Sequence, residues 1–154
     1  MVLTGAGLSV ESGIPTYRDA SGTWQRSEPI QHAEFLDDGT RQQRYWARSF
    51  MGWPMVRDAQ PNSAHHSLNE LERQGRVSML ITQNVDRLHQ RAGSQRVVDL
   101  HGRLDQVICL DCAATVSRDH VQKIMSAANP QLLEKQVRWL PDGDADLPDS
   151  DIEK

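Results

Sequence analysis

Residues 77–93 read VSMLITQNVDRLHQRAG, a short apolar run followed at once by polar residues. The apolar run over 77–81 is typical of a buried strand. In parallel α/β sheets, ligands collect at the carboxyl ends of the strands, so polar side chains that directly follow a strand are well placed to bind one. The stretch 82–93 is therefore predicted to be a loop and short helix that carries part of a functional site.

Elements of the same kind flank this stretch. Residues 1–4 form the end of an apolar strand that runs into a glycine turn, and 97–100 form another short strand. Apolar residues at helical spacing predict a helix from Pro61, which Gly75 is placed to end. Strand, helix and strand in this order predict an α/β fold with a parallel sheet and covering helices.

Composition limits the classes of function. A chain of 154 residues has the size of one ordinary domain, and its mean hydropathy of −0.61 is polar for such a domain. The net charge of −4 argues against a nucleic-acid-binding surface, which needs clustered Lys and Arg. No apolar run approaches the ~20 residues of a membrane helix, and no export signal is visible. We therefore expect neither nucleic acid nor membrane as a direct partner.

The chain has two cysteines, Cys109 and Cys112, at the spacing of half a metal site. Structural zinc takes four ligands, usually as two such pairs. Asp111 and His120 are candidates for the remaining ligands, but neither has good spacing. The pair predicts a zinc half-site, or otherwise a pair of ordinary thiols, in a reducing compartment: a bacterial cytoplasm or, in a eukaryote, the mitochondrial matrix.

The glycine turn after the first strand is a candidate phosphate site. Gly5 and Gly7 lack a Cβ and can adopt positive φ, so a pyrophosphate could approach their backbone N–H groups closely. The full dinucleotide fingerprint would have glycine three residues after Gly7, where Val10 stands. Taken alone, the turn is equally compatible with a purely structural role.

Two further features have both a functional and a structural interpretation. Asn84 and Asp86 could contact a ligand, or they could cap a helix as N-cap and first-turn residues. His101 could be a general base, because an ordinary histidine accepts protons near neutrality, or it could be a loop histidine. We expect His89 to be structural, and His65 to be a packing or surface residue.

Residues 5–18, the stretch 82–93 and the His101-Gly102 pair, in this order, resemble the motifs of the sirtuins, which are NAD-consuming protein deacylases. The resemblance implies an α/β fold, namely a Rossmann-like parallel sheet with an inserted helical and zinc-ribbon lobe, both incomplete. Because that family continues well beyond this length, we expect the chain to be the front part of a larger protein.

The resemblance also divides the chain. It implies a Rossmann-like part over about 1–28 and 60–104, and a helical cofactor-loop lobe over about 29–59. The start of a zinc-binding lobe would occupy about 105–154. This last part contains a stretch at 141–153 that is acidic and poor in apolar residues, as loops and disordered segments are.

Site residues follow from the matched motifs. The resemblance implies that His101 is the catalytic base, that Asn84 and Asp86 line the nicotinamide pocket, and that Gln83 contacts the ribose side. The full set of implied cofactor contacts is Gly5, Ala6, Gly7, Ser9, Ile14, Pro15, Tyr17, Arg18, Gln83, Asn84, Val85, Asp86 and His101. The implied zinc ligands are Cys109 and Cys112.

The implied activity is NAD-dependent deacylation of lysine in acylated proteins. The acyl oxygen attacks the ribose carbon as nicotinamide leaves, and His101 then deprotonates a ribose hydroxyl, so that the acyl group moves to ADP-ribose. NAD is consumed as a co-substrate. The alternatives are mono-ADP-ribosylation of proteins and an inactive NAD-binding fragment.

Within the family, the chain is most similar to class II through segments 29–32, 44–50, 52–54, 109–112 and 141–144. Tyr45 and Arg48 are spaced to share one face of a helix over 41–50. A Tyr-x-x-Arg at a similar place marks sirtuins that accept acidic acyl chains, where the guanidinium pairs with the acyl carboxylate. The alternative is a surface helix with ordinary solvated charges.

Overall fold

The computed structural model describes residues 1–18, 21–24, 30–148 and 152. Its strands are β1 Val2–Thr4, β2 Leu80–Thr82, β3 Val97–Asp99, β4 Gln106–Ile108, β5 Thr115–Ser117, β6 Arg138–Leu140 and β7 Asp144–Asp146. Its α-helices are α1 His32–Asp37, α2 Gly39–Asp58, α3 Ser63–Arg73, α4 Leu88–Arg91 and α5 Arg118–Ala128. Short 3-10 helices cover Ala6–Ser12, Pro130–Leu132 and Pro141–Gly143.

Strands β1, β2 and β3 form a parallel sheet in that order. Helices lie between successive strands in the chain, as parallel pairing requires. The predicted α/β fold with a parallel sheet is therefore confirmed. The predicted division of the chain into lobes stays a prediction, and Pro29 and residues 149–151, 153 and 154 of the predicted segments lie outside the described residues.

The second strand is shorter than its apolar run suggests. Only 80–82 pair with both neighbours, whereas Val77 is buried and donates its N–H to the Leu71 carbonyl at the end of the preceding helix. Val77 therefore closes the turn after α3. Hydrophobicity reports burial but not which buried residues join the ladder.

Helix α3 confirms the helix predicted from Pro61. Asn62 caps it by accepting hydrogen bonds from two backbone N–H groups, and Gly75 follows its end with a φ of 74°. Its deepest residues are polar, however: His65 and Glu72 are buried, and Glu72 accepts backbone hydrogen bonds from the segment before β3. The apolar face of the helix did not indicate that these two polar residues are buried.

The predicted helix over 41–50 is part of the longer α2, which Asp38 caps by accepting from Thr40 and Arg41. The β6–β7 hairpin packs against α2. A Cβ at Gly52 would lie 2.2 Å from the carbonyl oxygen of Gly143, so the two backbones are in direct contact.

The expectation of a loop or disordered segment over 141–153 is wrong for its first part. Asp144 and Ala145 are buried in β7, and Leu147 is buried after it. The stretch is acidic, but it is ordered because it packs against α2 and because Asp144 forms an ion pair with Arg48.

The apolar core joins α2 to the loop after β1 and to α4. It contains Ile14, Trp53, Val56 and Leu88, each with at most 7% of its surface exposed, and Leu104 packs against them. The core therefore fixes the loop at 14–18 relative to the parallel sheet. Within the described ranges, every helix is too short or too polar to span a bilayer.

Candidate functional site

The carboxyl ends of the three parallel strands meet at one edge of the sheet. Thr4, Thr82 and Asp99 are the last residues of β1, β2 and β3, and they are aligned in register. The Gln83 N–H bonds the Thr4 carbonyl, and the Leu100 N–H bonds the Thr82 carbonyl. The residues that follow each strand are therefore brought to the same edge, as predicted for a parallel sheet.

Ser9, Asn84 and Asp86 form a buried polar cluster at this edge. The Ser9 hydroxyl donates to Asp86 Oδ2 at 2.6 Å and accepts from Asn84 Nδ2 at 3.0 Å. All three side chains are buried, with exposures of 1–8%. Buried polar groups are normally hydrogen-bonded, and here one hydroxyl orients both neighbours.

Asp86 makes a capping contact, although it lies before the N-cap Arg87 and not in the first turn as predicted, and the capping interpretation is wrong for Asn84. Asp86 Oδ1 accepts from the backbone N–H of Leu88 at the start of α4, while its other oxygen binds Ser9. Asn84 makes no cap: the N-cap position of α4 is Arg87, and the Asn84 side chain turns to Ser9. Asp86 thus combines a capping contact with a place in the cluster.

The glycine turn differs in one respect from expectation. The positive φ that Gly5 and Gly7 could have adopted is not used by either residue, and the glycine with positive φ in this loop is Gly13, at 85°. A 3-10 helix over Ala6–Ser12 follows Gly5 and carries Ser9 inward. No atom lies within 4 Å of a Cβ placed at Gly7 among the described residues, so its backbone is open to a close ligand.

A narrow pocket adjoins the cluster. Besides Ser9, Asn84 and Asp86, it is lined by predicted cofactor contacts, by two apolar residues of the core region and by two residues near the end of the described chain. The predicted contacts in its wall are Ala6, Ile14, Pro15, Tyr17 and Val85, and the other four residues are Val56, Leu104, Pro141 and Asp142. The structure therefore brings eight predicted site residues together around one cavity.

Five predicted contacts lie outside that cavity wall: Gly5, Gly7, Arg18, Gln83 and His101. Arg18 is exposed and places its guanidinium 4.7 Å from the centre of the Trp24 ring, which is a cation–π contact. Gln83 is exposed after β2, and its Oε1 lies 3.9 Å from a Cβ built on Gly5. The side chains of Arg18 and Gln83 are both exposed to solvent.

His101 is exposed in the turn that follows β3, next to Gly102 with a φ of 83°. Residues in and just before α4 hold the end of β3. Asp99 accepts a hydrogen bond from Gln90 at 2.9 Å and forms an ion pair with Arg87. This link could not be predicted, because no local pattern in the sequence relates Arg87 to Asp99. It holds the strand two residues before His101.

Two histidines are buried beneath the site. His65 and His89 have exposures of 0% and 1%, their ring centroids are 4.9 Å apart, and His89 Nε2 bonds Thr4 Oγ1 at 2.9 Å. Burial and the nearby charge of His65 lower the pKa of His89 to about 4. Burial also lowers the pKa of His65. The structural role expected of His89 agrees with this position.

Cys109 and Cys112 occupy the turn between β4 and β5, and both are exposed free thiols. The Ala113 N–H bonds the Cys109 carbonyl, which brings the two cysteines onto one tight turn. Backbone N–H groups of Cys112 and Asp111 lower the pKa of the Cys109 thiol and so favour thiolate, the form that binds metal. Among the described residues, however, no three His, Cys, Asp or Glu side chains form a metal-binding group.

Tyr45 and Arg48 line a common cavity of about 200 Å³, together with Asp142 and Asp144. The solvated-surface alternative is wrong for Arg48, which is buried and donates to both oxygens of Asp144 at 2.9 and 2.7 Å. An acidic acyl chain that sought this guanidinium would have to compete with Asp144. The role of both residues in acyl selectivity stays a prediction.

Comparison with known proteins identifies the family. Residues 5–139 match the model of the Sir2 family. The chain is 52% identical to an NAD-dependent protein deacetylase of Xanthomonas axonopodis pv. citri, over 96% of this chain and 50% of that protein. It is 54% identical to the NAD-dependent protein deacylase SIR4 of Monosiga brevicollis, over 98% of this chain and 50% of that protein. The chain belongs to the Sir2 family, and it spans about half the length of these relatives.

Solved structures agree in fold. A complex of a Sir2 homologue with NAD is 45% identical, with a TM-score of 0.60 over 75% of this chain and 45% of that chain. A Sir2 protein in complex with an inhibitor, 2′-O-acetyl-ADP-ribose and a deacetylated p53 peptide is 35% identical, with a TM-score of 0.64 over 81% of this chain and 49% of that one.

Proposed function

We propose that the protein carrying this chain is an NAD-dependent protein-lysine deacylase that transfers the acyl group to ADP-ribose and releases nicotinamide. The observation that carries the proposal is the Ser9–Asn84–Asp86 cluster at the carboxyl edge of the parallel sheet, in a chain of the Sir2 family. The chain spans about half the length of these relatives, so the activity of the complete protein is a proposal.

The residues present fit the nicotinamide end of NAD. A carboxamide needs both an acceptor and a donor, and Asp86 and Asn84 offer carboxylate and amide groups held in place by Ser9. The apolar side chains of Ile14 and Val85 in the same wall suit the ring. When bound, NAD supplies the ribose carbon that exchanges nicotinamide for the acyl oxygen.

His101 is the proposed base. It is exposed at the edge where the cluster lies, so it can take a proton from a ribose hydroxyl and release it to solvent. The Arg87–Asp99 pair holds the strand before it. Acylated lysine peptides are the proposed substrates, which is supported by the p53-peptide complex of a Sir2 protein.

The proposal includes half of a structural zinc site at Cys109 and Cys112. The turn geometry and the lowered pKa of Cys109 support it, while the described residues offer no complete ligand set. No catalytic step depends on that metal. The proposed location is a reducing compartment, the bacterial cytoplasm or the mitochondrial matrix of a eukaryote, which two free thiols support.

The test uses the complete protein, NAD labelled in its adenylate part and an acetyl-lysine peptide. Deacylation predicts nicotinamide release that depends on the peptide, with label recovered in O-acetyl-ADP-ribose. Transfer of label onto protein would instead show mono-ADP-ribosylation. Absence of nicotinamide release with any acyl peptide would contradict the proposed activity and favour a binding module.

A further inference from the structure

Asn62, which precedes helix α3, uses the two ends of its side-chain amide for different contacts. Its Oδ1 accepts from the backbone N–H groups of Ala64 and His65 at 3.0 and 3.3 Å and so caps the helix. Its Nδ2 donates to the Leu8 carbonyl at 2.7 Å and to Ser12 Oγ at 3.1 Å, 54 and 50 positions earlier in the chain. Asn62 therefore connects the start of α3 to the 3-10 helix that follows β1.

The orientation of this amide is determined by its partners. Backbone N–H groups can only donate, so the atom that faces them must be the oxygen. The Leu8 carbonyl can only accept, so the atom that faces it must be the nitrogen. The capping atom and the donating atom of Asn62 therefore cannot be exchanged, and the side chain performs two separable tasks.

Ser9 lies in the chain between Leu8 and Ser12, the two residues to which Asn62 donates. The hydroxyl of Ser9 orients both polar neighbours in the buried cluster. The opposite side of the same 3-10 helix is exposed to solvent, as at Val10, which has 51% of its surface exposed. Binding groups keep their geometry only when the residues behind them are fixed by packing and hydrogen bonds. The two hydrogen bonds from Asn62 hold the chain on both sides of Ser9.

Asn62 is itself attached to a buried part of the molecule. Its backbone N–H donates to Nδ1 of His65 at 3.3 Å, and His65 is fully buried. The His65 ring lies 4.9 Å from the ring of His89, which bonds the Thr4 hydroxyl at the end of β1. The donating amide therefore has a fixed position relative to the strand from which the 3-10 helix starts.

We propose that Asn62 is a positioning residue, whose side-chain N–H groups hold Ser9 where its hydroxyl orients the polar groups of the nicotinamide pocket. The inference rests on the proposed function, because it assigns that pocket to NAD. Asn62 does not line the pocket, so it acts on NAD through Ser9. The capping end of its amide serves the stability of α3, and the donating end serves the affinity for NAD.

Asn62→Asp in the complete protein separates the two tasks. Aspartate is an equally good helix cap, so the melting temperature should stay close to that of the wild type. A carboxylate has no N–H to donate, and it places an oxygen against the Leu8 carbonyl. The KM for NAD should therefore rise roughly ten-fold, in line with the net effect of one or two hydrogen bonds. The KM for an acetyl-lysine peptide should stay unchanged.

Combination with Ser9→Ala tests whether Asn62 acts through Ser9. Once the hydroxyl is removed, the position of residue 9 no longer orients the cluster, so the double variant should have the same KM for NAD as Ser9→Ala alone. A general structural effect would instead add to that of Ser9→Ala. Ser12→Ala removes one of the two acceptors and should raise the KM for NAD less than Asn62→Asp does. It decides the question if Asn62→Asp does not fold.

Asn69→Asp is the matched control. Asn69 lies on the same helix and donates its Nδ2 to the Ala92 carbonyl at 2.9 Å. The same substitution therefore removes the same kind of hydrogen bond, but one that does not hold the chain around Ser9. The KM for NAD of Asn69→Asp should equal that of the wild type, even where its melting temperature falls.

An unchanged KM for NAD in Asn62→Asp, or an equal rise in Asn69→Asp, overturns the positioning role and leaves the proposed function intact. Additive effects in the double variant overturn the positioning role as well, because they exclude the route through Ser9. A complete wild-type protein that neither binds NAD nor releases nicotinamide overturns the proposed function, and the positioning role with it.

Discussion

The hydroxyl of Ser9 donates a hydrogen bond of 2.6 Å to Asp86, which lies 77 positions further along the chain. Ser9 follows β1 and Asp86 follows β2, so this bond ties together the two loops at the edge of the sheet. The same hydroxyl accepts from Asn84. One small side chain therefore sets the orientation of both polar groups in the proposed nicotinamide pocket.

Replacing Ser9 by alanine should disturb both binding and stability. Asp86 Oδ2 and Asn84 Nδ2 would each lose a buried partner, which costs on the order of 1–3 kcal/mol in the free energy of unfolding. The KM for NAD should rise as the two side chains lose their orientation. Denaturant unfolding and steady-state kinetics of the complete protein measure the two effects, and Ser78→Ala, at an exposed position, is the control. An unchanged KM in Ser9→Ala would contradict the assigned role.

His101→Ala should reduce deacylation by a factor on the order of 10² or more, as expected for loss of a general base. Binding of NAD should survive, because His101 lies in an exposed turn outside the buried cluster. Nicotinamide exchange should fall less than deacylation, since the base acts mainly after nicotinamide has left. His66→Ala, at an exposed position of α3, should behave like the wild type. Deacylation at the wild-type rate in His101→Ala would refute the assignment.

The buried histidine pair should make the fold sensitive to acid. The pKa of His89 falls from 6.5 to about 4 on folding, so between these values the unfolded chain binds a proton that the folded protein does not. The free energy of unfolding therefore decreases as the pH falls from 6.5 towards 4, by up to about 1.4 kcal/mol per pH unit for this proton. The raised pKa of Asp142 acts in the opposite direction over part of the same range.

A comparison of the wild type with His89→Gln isolates the histidine contribution. Glutamine does not titrate and can still hydrogen-bond Thr4, so the variant should lose stability less steeply on acidification. Urea unfolding at a series of pH values from 7.5 to 4.5 provides the measurement. Parallel curves for the two proteins would show that His89 is not responsible.

Zinc should bind weakly and below one equivalent to the isolated 154-residue chain. Two thiolates, Cys109 and Cys112, cannot complete a tetrahedral shell, and the described residues contain no complete metal-binding group. Metal analysis after dialysis against a mild chelator tests this, with Cys109→Ser as the variant that removes the remaining affinity. One tightly held zinc per chain would mean that two further ligands exist, and half an equivalent held tightly would mean that two copies share a site.

Acyl preference provides a fifth test. If Tyr45 and Arg48 select acidic acyl chains, the complete protein should prefer glutaryl-lysine to acetyl-lysine, and Arg48→Ala should remove the preference. Because Asp144 already accepts hydrogen bonds from Nε and Nη2 of Arg48, Asp144→Asn should increase the ratio of glutaryl to acetyl rates. Melting temperatures must accompany the rates, since breaking a buried ion pair can cost several kcal/mol. Equal rates on both peptides, unchanged in all three proteins, would exclude this selectivity.

Local patterns in the sequence predicted the elements well. The apolar run before Thr82, the helix from Pro61 and the helix over 41–50 all appear, because strand burial, helical periodicity and caps depend on residues close together in the chain. The polar residues that follow the strands could be selected as a candidate site, since the carboxyl edge of a parallel sheet is where such groups converge. The hydrogen bonds that these polar residues form with one another could not be predicted.

Contacts between distant segments needed the tertiary structure. The acidic composition at 141–153 predicted a loop, yet Asp144 is buried against Arg48, because a bidentate ion pair offsets the loss of water around both charges. Asp142 gave no signal as a pocket residue, since its partner Tyr17 is 125 positions away. The burial of His65 was equally hidden within a helix whose apolar residues define another face.

The sequence by itself determined the α/β class, the three strands of the parallel sheet with the helix before the second, the residue types at the strand ends and, through its motifs, the likeness to the Sir2 family. Only the tertiary structure decided that Ser9 joins Asn84 to Asp86, that Arg48 is held by Asp144, and that Tyr17 meets Asp142. The reason is physical: strand and helix formation are governed by neighbours in the chain, whereas these side-chain contacts depend on sheet register and on packing against α2, which no short stretch of sequence encodes.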